Sequence, residues 1–149
     1  MPRYVTTRVL PHTAAQMFDL VADVERYPEF VPMCERLVVR RHTTGVNDSE
    51  VLLADMSIGY KMIRESFTSR VALDRPGMKI LVEYVDGPFS HLENRWTFRP
   101  LEKGCEVTFD IDYAFRSRIF QTLAGAVFDT VVRRMVEAFE KRADVIYGR

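Results

Sequence analysis

Apolar and polar residues alternate most regularly over residues 106–115. The apolar positions recur at every second residue, and the positions between them are mostly acidic or hydroxyl-bearing. Because successive side chains of a strand point to opposite faces, this segment is predicted to be a strand with one covered and one wet face. The covered face holds Val107, Phe109, Ile111, Tyr113 and Phe115.

Turn-forming residues divide the region 34–115 into five or six predicted strands. Turns this short join antiparallel neighbours, because parallel strands need long crossover connections. With a further strand over residues 2–10, the sequence predicts a mostly antiparallel sheet of six to seven strands. The turns lie at Thr44-Gly45, Asn47-Asp48, Arg75-Pro76-Gly77, Asp86-Gly87-Pro88 and Lys103-Gly104.

Two short helices are predicted after the first strand. Thr13 and Gln16 have the spacing of a capping box, in which each side chain satisfies the other residue's free backbone N–H. The second helix is expected to be broken. Pro28 and Pro32 remove backbone donors there and push the residues before them toward extended geometry.

The last predicted element is one long helix. Ser117 is a good N-cap and no proline interrupts residues 118–147, so the helix would run about 45 Å at about 1.5 Å per residue. Its apolar stripe would need a broad sheet face to cover it. The predicted stripe is Leu123, Val127, Val131, Met135, Ala138, Arg142 and Ile146, widened by Phe120, Ala124, Phe128 and Phe139.

Together these elements predict an α+β fold in which a curved antiparallel sheet wraps around the long C-terminal helix. Residues 1–149 are predicted to form a single domain. A straight helix touches a twisted sheet along one line, so space remains beside the contact. That space is either filled by large side chains or left as a ligand pocket.

Composition and charge narrow the classes of function. The 21 basic residues balance the 21 acidic ones, so the total charge does not favour DNA as a partner. Cys34 and Cys105 form no CxxC pair, and neither a metal site nor a covalent cofactor is predicted.

No apolar run in the sequence is long enough for a signal peptide or a membrane span. We therefore expect a soluble, cytoplasmic protein that at most rests peripherally on the inner face of a membrane. The chain would be bacterial or, if processed, would act on the matrix side of a mitochondrion.

Motifs for catalysis are weak in this sequence. His12, His42 and His91 are widely spaced, and neither H-E-x-x-H, G-x-S-x-G nor a phosphate-binding glycine loop is present. No catalytic residue is therefore predicted. An enzyme acting on a bulky substrate stays an alternative, and it would require turnover that depends on Glu65, His91 or Tyr113.

Three segments carry a resemblance to a known family. Residues 27–34 read Tyr-Pro-x-Phe-x-Pro-x-Cys, residues 87–98 contain Gly-Pro-Phe followed by Trp-x-Phe, and residues 107–115 form the alternating strand. They resemble the START-like, or polyketide cyclase/dehydrase, superfamily, and within it the coenzyme Q-binding branch. The resemblance covers essentially the whole chain and implies the helix-grip fold. It also implies a cavity for ubiquinone or a similar isoprenoid quinone, in a carrier or chaperone that supports respiratory electron transport.

The same motifs are also similar to those of the bacterial ribosome-association toxins. A ribosome-binding protein that blocks subunit association is therefore the first alternative, and an enzyme of the aromatase/cyclase type is the second. A ribosome binder could use the basic residues near the end of the long helix, although these also suit the negative end of the helix dipole. They are Arg133, Arg134, Lys141 and Arg142.

The predicted ligand-binding residues come from the broken helix, the sheet and the long helix. The proline-broken segment, residues 27–32, would form the lip of the pocket, or it would only plug one end of the core. Aromatic strand residues and the helix stripe would line the cavity, although ordinary core packing explains any one of them equally well. The set is Tyr27, Phe30, Val31, Pro32, Phe67, Trp96, Phe98, Phe109, Tyr113, Leu123, Val127, Val131 and Met135.

Two polar residues fall in phase with apolar neighbours. Strict alternation sends the Glu65 carboxylate and the Asn94 amide toward the covered face, where each could make a polar contact with the ligand. A β-bulge or a salt bridge to a neighbouring arginine is the other explanation for Glu65. Asn94 presents the same choice.

Arg116 and Arg118 stand at the start of the long helix, where the helix dipole disfavours cations. With Ile119 and Phe120 close by, they could meet anionic lipid head groups while the apolar side chains dip into a bilayer. The alternative is a solvated arginine pair. The expected partners are thus a hydrophobic small molecule and a transient membrane surface, with the ribosome as the alternative.

Overall fold

The computed structural model describes residues 3–47, 49–60 and 63–148, and within them it leaves the side chains of Tyr60, Ile63, Phe120, Leu123 and Ala124 undescribed. Strands, two α-helices and one 3-10 helix follow one another along this part of the chain. In chain order they are β1 (Arg3–Leu10), α1 (Ala14–Ala22), the 3-10 helix (Val24–Glu29), β2 (Cys34–Thr44), β3 (Ser49–Tyr60), β4 (Ile63–Asp74), β5 (Lys79–Asp86), β6 (Phe89–Pro100), β7 (Cys105–Phe115) and α2 (Arg118–Tyr147).

The seven described strands form one antiparallel sheet in the order β1-β7-β6-β5-β4-β3-β2. Strand β2 shifts register between Val39 and Arg41, and β6 does so between Phe89 and His91. Such bulges bend a strand and increase its twist, so they help to curve the sheet around the helices. The predicted α+β helix-grip fold is confirmed, with seven strands.

The capping box at the start of α1 is present as predicted. Thr13 Oγ1 accepts a hydrogen bond from the Gln16 backbone N–H at 3.1 Å, and Gln16 Oε1 accepts one from the Thr13 N–H at 2.9 Å. The buried face of α1 then packs on the sheet, where the rings of Phe18 and Phe98 meet edge to face at 5.8 Å. The helix therefore covers the part of the sheet that lies next to it.

The broken helix is a 3-10 helix with Pro28 inside it. The buried Tyr27 hydroxyl donates a hydrogen bond to the Val21 carbonyl and ties the segment back to α1. Just before β2, Met33 has a φ of 64°, which is uncommon for a residue with a side chain. Its carbonyl accepts a hydrogen bond from the Gly59 N–H at 3.0 Å, which fixes the turn into the sheet.

Helix α2 has the predicted bounds. Phe128 and Phe139 of its predicted stripe are buried, but further buried positions of the helix were not predicted. Val127, Val131 and Met135 are only half-buried, and Ile146 is 48% exposed. Apolar residues cover more than one face of this helix, so periodicity alone left its rotation open. The rotation of the helix about its axis is determined by the burial of its large aromatic rings. The buried stripe is Phe128, Val132, Val136, Phe139 and Ala143.

Candidate ligand-binding cavity

A cavity of about 110 Å³ lies between the concave face of the sheet and α2. The helix closes it with Val127, Val131 and Met135, which are half-buried because they face this space rather than solid core. Val31 and Pro32 border it from the segment before β2. The strands contribute Leu37, Ala54, Met56, Ile58, Phe67, Ser69, Val71, Val82, Leu92, Asn94, Trp96, Ile111 and Phe115.

Two small side chains leave room for the cavity in the wall of the sheet. Ala54 on β3 and Ser69 on β4 are directly paired across the two strands, and both are buried. Directly opposed residues bring their side chains close together on one face of a sheet. A pair of small residues therefore leaves a gap where larger neighbours would fill the space under α2.

Asn94 is the best-connected polar residue of the lining. Its Nδ2 donates a hydrogen bond to the Asp110 carbonyl at 3.1 Å, and its Oδ1 accepts one from the Trp96 indole N–H at 2.9 Å. The indole N–H of Trp96 is thus already engaged by the protein. Asn94 holds the Trp96 ring in place against the cavity, while the Ser69 hydroxyl adds a second polar group to the lining.

The described lining residues carry no charge at neutral pH. Burial raises the pKa of the Cys34 thiol to about 11, and it also raises the pKa of the Tyr27 phenol. The remaining described lining residues are apolar or uncharged polar. Because an isolated charge is costly to bury, such a cavity suits a neutral, apolar guest.

The lip, residues 27–32, is clamped onto α2 at one end of the cavity. The rings of Tyr27 and Phe30 both meet Phe139 edge to face, at 5.2 Å and 5.0 Å. Arg142 lies over the Phe30 ring at 5.2 Å, and its Nη2 donates to Glu29 Oε1 at 2.6 Å. These contacts hold residues 27–32 against the helix.

The structure brings most of the predicted binding residues to the cavity. Phe30 belongs to the lip but lies outside the lining, and Glu65 is half-buried and also outside it. The side chains of Leu123 and Phe120 fall outside the described part of the chain. The predicted residues that line the cavity are Tyr27, Val31, Pro32, Phe67, Asn94, Trp96, Val127, Val131 and Met135.

Three predicted aromatic residues pack in the solid core and not around the cavity. The Phe98 ring contacts α1, and the Phe109 ring contacts Tyr4 of β1 at 6.3 Å. Tyr113 meets Phe128 of α2 at 4.7 Å. Alternation places all three on the covered face, but it does not say which part of that face the helices fill.

Sequence reasoning missed the lining residues of β3. Ala54, Met56 and Ile58 lie on one face of this strand and all three reach the cavity. Their spacing of two residues was the available signal, but no motif marks them. Cys34, which ends the Tyr-Pro-x-Phe-x-Pro-x-Cys motif, and its neighbour Met33 also line the cavity, although neither was predicted to bind a ligand.

The start of α2 is open to solvent. Arg116 and Arg118 are exposed, and Ile119 is 73% exposed. The Arg116 backbone N–H donates to the Pro88 carbonyl at 2.8 Å, which ties the helix start to the loop between β5 and β6. Among the helices described, none is long and apolar enough to cross a membrane.

The sheet, the gripping helix and the cavity agree with a match to a known protein family. Residues 10–140 match the family described as "Polyketide cyclase / dehydrase and lipid transport". The chain belongs to this family. The family description covers enzymes as well as lipid transport, so membership establishes a fold that binds hydrophobic ligands and leaves the activity open.

Two curated relatives match almost the whole chain. The ribosome association toxin RatA of Escherichia coli (strain K12) is 34% identical over 149 residues, which cover 99% of this chain and 90% of the relative. The mitochondrial coenzyme Q-binding protein COQ10 homolog B of Xenopus laevis is 36% identical over 151 residues, covering 98% of this chain and 59% of the relative. The family relatives expected from the motifs are thus confirmed.

A solved structure shows the same architecture. The solution structure of the 18 kDa protein CC1736 from Caulobacter crescentus superposes with a TM-score of 0.80 and 34% sequence identity, covering 100% of both chains. The agreement extends over the whole chain. The seven-stranded sheet and its long helix are therefore a shared feature of this chain and that protein.

Proposed function

We propose that this protein is a carrier that binds an isoprenoid quinone, ubiquinone or a close analogue, in the cavity under α2. The observation that supports this most strongly is the neutral, almost wholly apolar lining between the sheet and α2. Similarity to a coenzyme Q-binding protein over 98% of the chain favours a quinone among apolar guests. The carrier would serve respiratory electron transport at the cytoplasmic or matrix face of a membrane.

The cavity must widen to take such a guest. Its 110 Å³ is less than the roughly 300–1,000 Å³ of pockets that enclose drug-sized ligands. Met33, Met56 and Met135 border the space, and methionine side chains adapt to irregular shapes more readily than branched ones. The guest would therefore enter by moving these side chains and the lip, residues 27–32.

In this role the cavity binds its guest and carries out no reaction on it. Proton transfer needs a group whose pKa lies near the working pH, and burial moves the pKa of both Cys34 and Tyr27 away from neutrality. Asn94 already uses its amide to hold Trp96. These features favour a binder over an aromatase or cyclase.

The sole tryptophan provides a direct test, because Trp96 lines the cavity and a quinone in contact with it quenches indole fluorescence. Titration with a short-tailed ubiquinone should quench the emission in a saturable way. Val131→Arg should abolish saturation, because it puts a charge into the lining. Ile146→Arg should not, since it adds the same charge to the same helix at an exposed position.

Quenching that stays linear with quinone concentration, or that is the same for Val131→Arg and Ile146→Arg, would count against the proposal. Circular dichroism of both variants checks that the fold survives.

Similarity to a ribosome association toxin over 99% of the chain favours a second candidate, binding to ribosomal subunits. Contacts to RNA phosphates weaken steeply as salt rises. Co-sedimentation with ribosomal subunits that fades with added salt would support this candidate. One variant distinguishes the two functions. Val131→Arg should abolish quinone binding but leave ribosome binding unchanged, if the ribosome is bound by the protein surface.

A further inference from the structure

A basic groove runs along the outer side of the lip. It has a volume of about 590 Å³ and is lined by three cations of α2, which are Arg134, Lys141 and Arg142. Glu137 is the one carboxylate among its described lining residues, and it already pairs with Lys141 at 3.4 Å. The groove is therefore locally positive in a chain whose total charge is zero.

Arg142 is only partly satisfied where it stands. Its Nη2 binds Glu29 at 2.6 Å, while its Nε is buried and has no acceptor among the described residues. Because this Nε is buried, a phosphate on the surface cannot reach it, and Arg142 serves mainly to hold Glu29 of the lip. Arg134 is exposed and adds a second guanidinium to the groove.

The groove also has apolar members. Phe30 and Pro32 of the lip contribute to it, and Val145, which is 77% exposed, lies at its α2 side. Pro32 lines both the groove and the cavity, so the lip is the wall between them. A guest leaving the cavity over the lip would pass directly into the groove.

The exposed face of α2 continues this surface toward the start of the helix. At about 100° per residue, Ile119, Arg134, Lys141 and Val145 fall within an arc of about 80°. Ile119 is 73% exposed and Val145 is 77% exposed. Exposed aliphatic residues beside basic ones are typical of a helix that lies in a membrane interface. RNA phosphates would give these aliphatic side chains no favourable contact.

We propose that the basic groove and the exposed face of α2 dock the protein on an anionic lipid bilayer, with the lip directed toward the lipid. The proposal rests on the proposed carrier function, which gives the cavity a reason to open at a membrane. Lipid phosphate groups would bind Arg134 and Lys141, whereas the Arg142 Nε is buried and its Nη2 stays on Glu29. Ile119 and Val145 would enter the interface, so the helix would lie along the surface.

The test is co-sedimentation of the full-length protein with vesicles of phosphatidylcholine alone and of phosphatidylcholine mixed with phosphatidylglycerol. The protein should bind the mixed vesicles and not the neutral ones. The double variant Arg134→Gln, Lys141→Gln should lower binding about tenfold or more, as expected for the loss of two cations near an anionic surface.

Arg133→Gln is the control for the Arg134→Gln change of the double variant. It removes the same charge from the neighbouring position, but the Arg133 guanidinium lies outside the groove and over the Tyr4 ring at 5.6 Å. This variant should bind anionic vesicles within about twofold of the unmodified protein, because a charge off the docking face contributes little to binding. Equal losses in the double variant and the control would contradict a specific groove.

Failure to bind anionic vesicles, or unchanged binding by the double variant, would overturn the proposal. Binding of ribosomal subunits in place of vesicles, carried by the same two cations, would reassign the groove to RNA and also overturn it. Trp96 quenching by quinone should be unchanged in the double variant, since Arg134 and Lys141 lie outside the cavity. Vesicle binding thus tests the docking proposal, and Trp96 quenching tests the carrier function independently of it.

Discussion

At the scale of single residues, the cavity depends on the small paired side chains of Ala54 and Ser69. Ala54→Leu should fill the cavity from the sheet side, abolish saturable Trp96 quenching by quinone, and keep or raise the melting temperature. A larger apolar side chain stabilises a core when it occupies empty space and destabilises it by about 1–3 kcal/mol when it does not.

Ala72→Leu is the control for that substitution. It makes the same enlargement on the neighbouring strand β4, at a position that alternation directs to the opposite face of the sheet and that lies outside the lining. Quinone quenching should be unchanged in this variant. A strong fall in melting temperature for Ala54→Leu would mean that the space beside Ala54 is already filled. The measurement is thermal unfolding followed by circular dichroism.

Cys34 provides a pH-dependent readout at the same scale. Its pKa of about 11 lies about two units above the usual 9.0, so the reactive thiolate at pH 8 should be about a hundredfold scarcer than for an unperturbed thiol. Alkylation by iodoacetamide, followed by mass spectrometry, should be slow at pH 8 and accelerate toward pH 11. Because the folded protein keeps this proton to a higher pH than the unfolded chain does, the free energy of unfolding should fall as pH rises from about 9 to about 11.

Cys105 serves as the internal control, since it is buried with a raised pKa but lies outside the cavity. Bound quinone should slow the alkylation of Cys34 further and leave that of Cys105 unchanged. Rapid labelling of Cys34 at pH 8 would show that the cavity is wetter than its lining indicates. Equal protection of both thiols by quinone would point to general stabilisation of the fold.

At the scale of elements, the lip is held against α2 by ring contacts and by the Glu29–Arg142 ion pair, so weakening them should ease the passage of a guest. Phe30→Ala removes the ring that packs on Phe139 and lies under Arg142, while the cavity lining stays intact. Quinone association and dissociation, followed by stopped-flow Trp96 fluorescence, should both become faster. The affinity should change much less than the rates.

Val9→Ala is a suitable control, because it shortens an exposed side chain of β1 that lies outside both the cavity and the groove. Its rates should match those of the unmodified protein. Rates that are unchanged in Phe30→Ala would show that the guest does not pass the lip. A loss of secondary structure in that variant would instead make Phe30 part of the core.

The elements were predictable from the sequence to different degrees. The capping box of Thr13 and Gln16 and the alternation in β7 are local signals, and both predicted the observed element. The rotation of α2 was not predictable from its own pattern, because apolar residues cover several faces. The rotation depends on which rings of α2 pack on the sheet. Phe128 and Phe139 pack on strand residues that are distant in sequence.

At the scale of the whole molecule, the sequence predicted the fold and the presence of a covered concave face. It could not locate the cavity within that face, since Phe98 and Phe109 obey the same alternation as Trp96 and pack in the core. The position of the cavity depends on where α1 fills the sheet, on the small Ala54–Ser69 pair, and on the rotation of α2. These are properties of the assembled layers.

The carrier function requires that the cavity between the sheet and α2 holds an isoprenoid quinone. The most direct measurement is mass spectrometry of the lipid that co-purifies with the protein from a quinone-producing host, with Ala54→Leu purified in parallel. We expect a near-stoichiometric isoprenoid quinone with the unmodified protein and almost none with the variant. Lipid-free protein, or the same quinone content in Ala54→Leu, would contradict the claim.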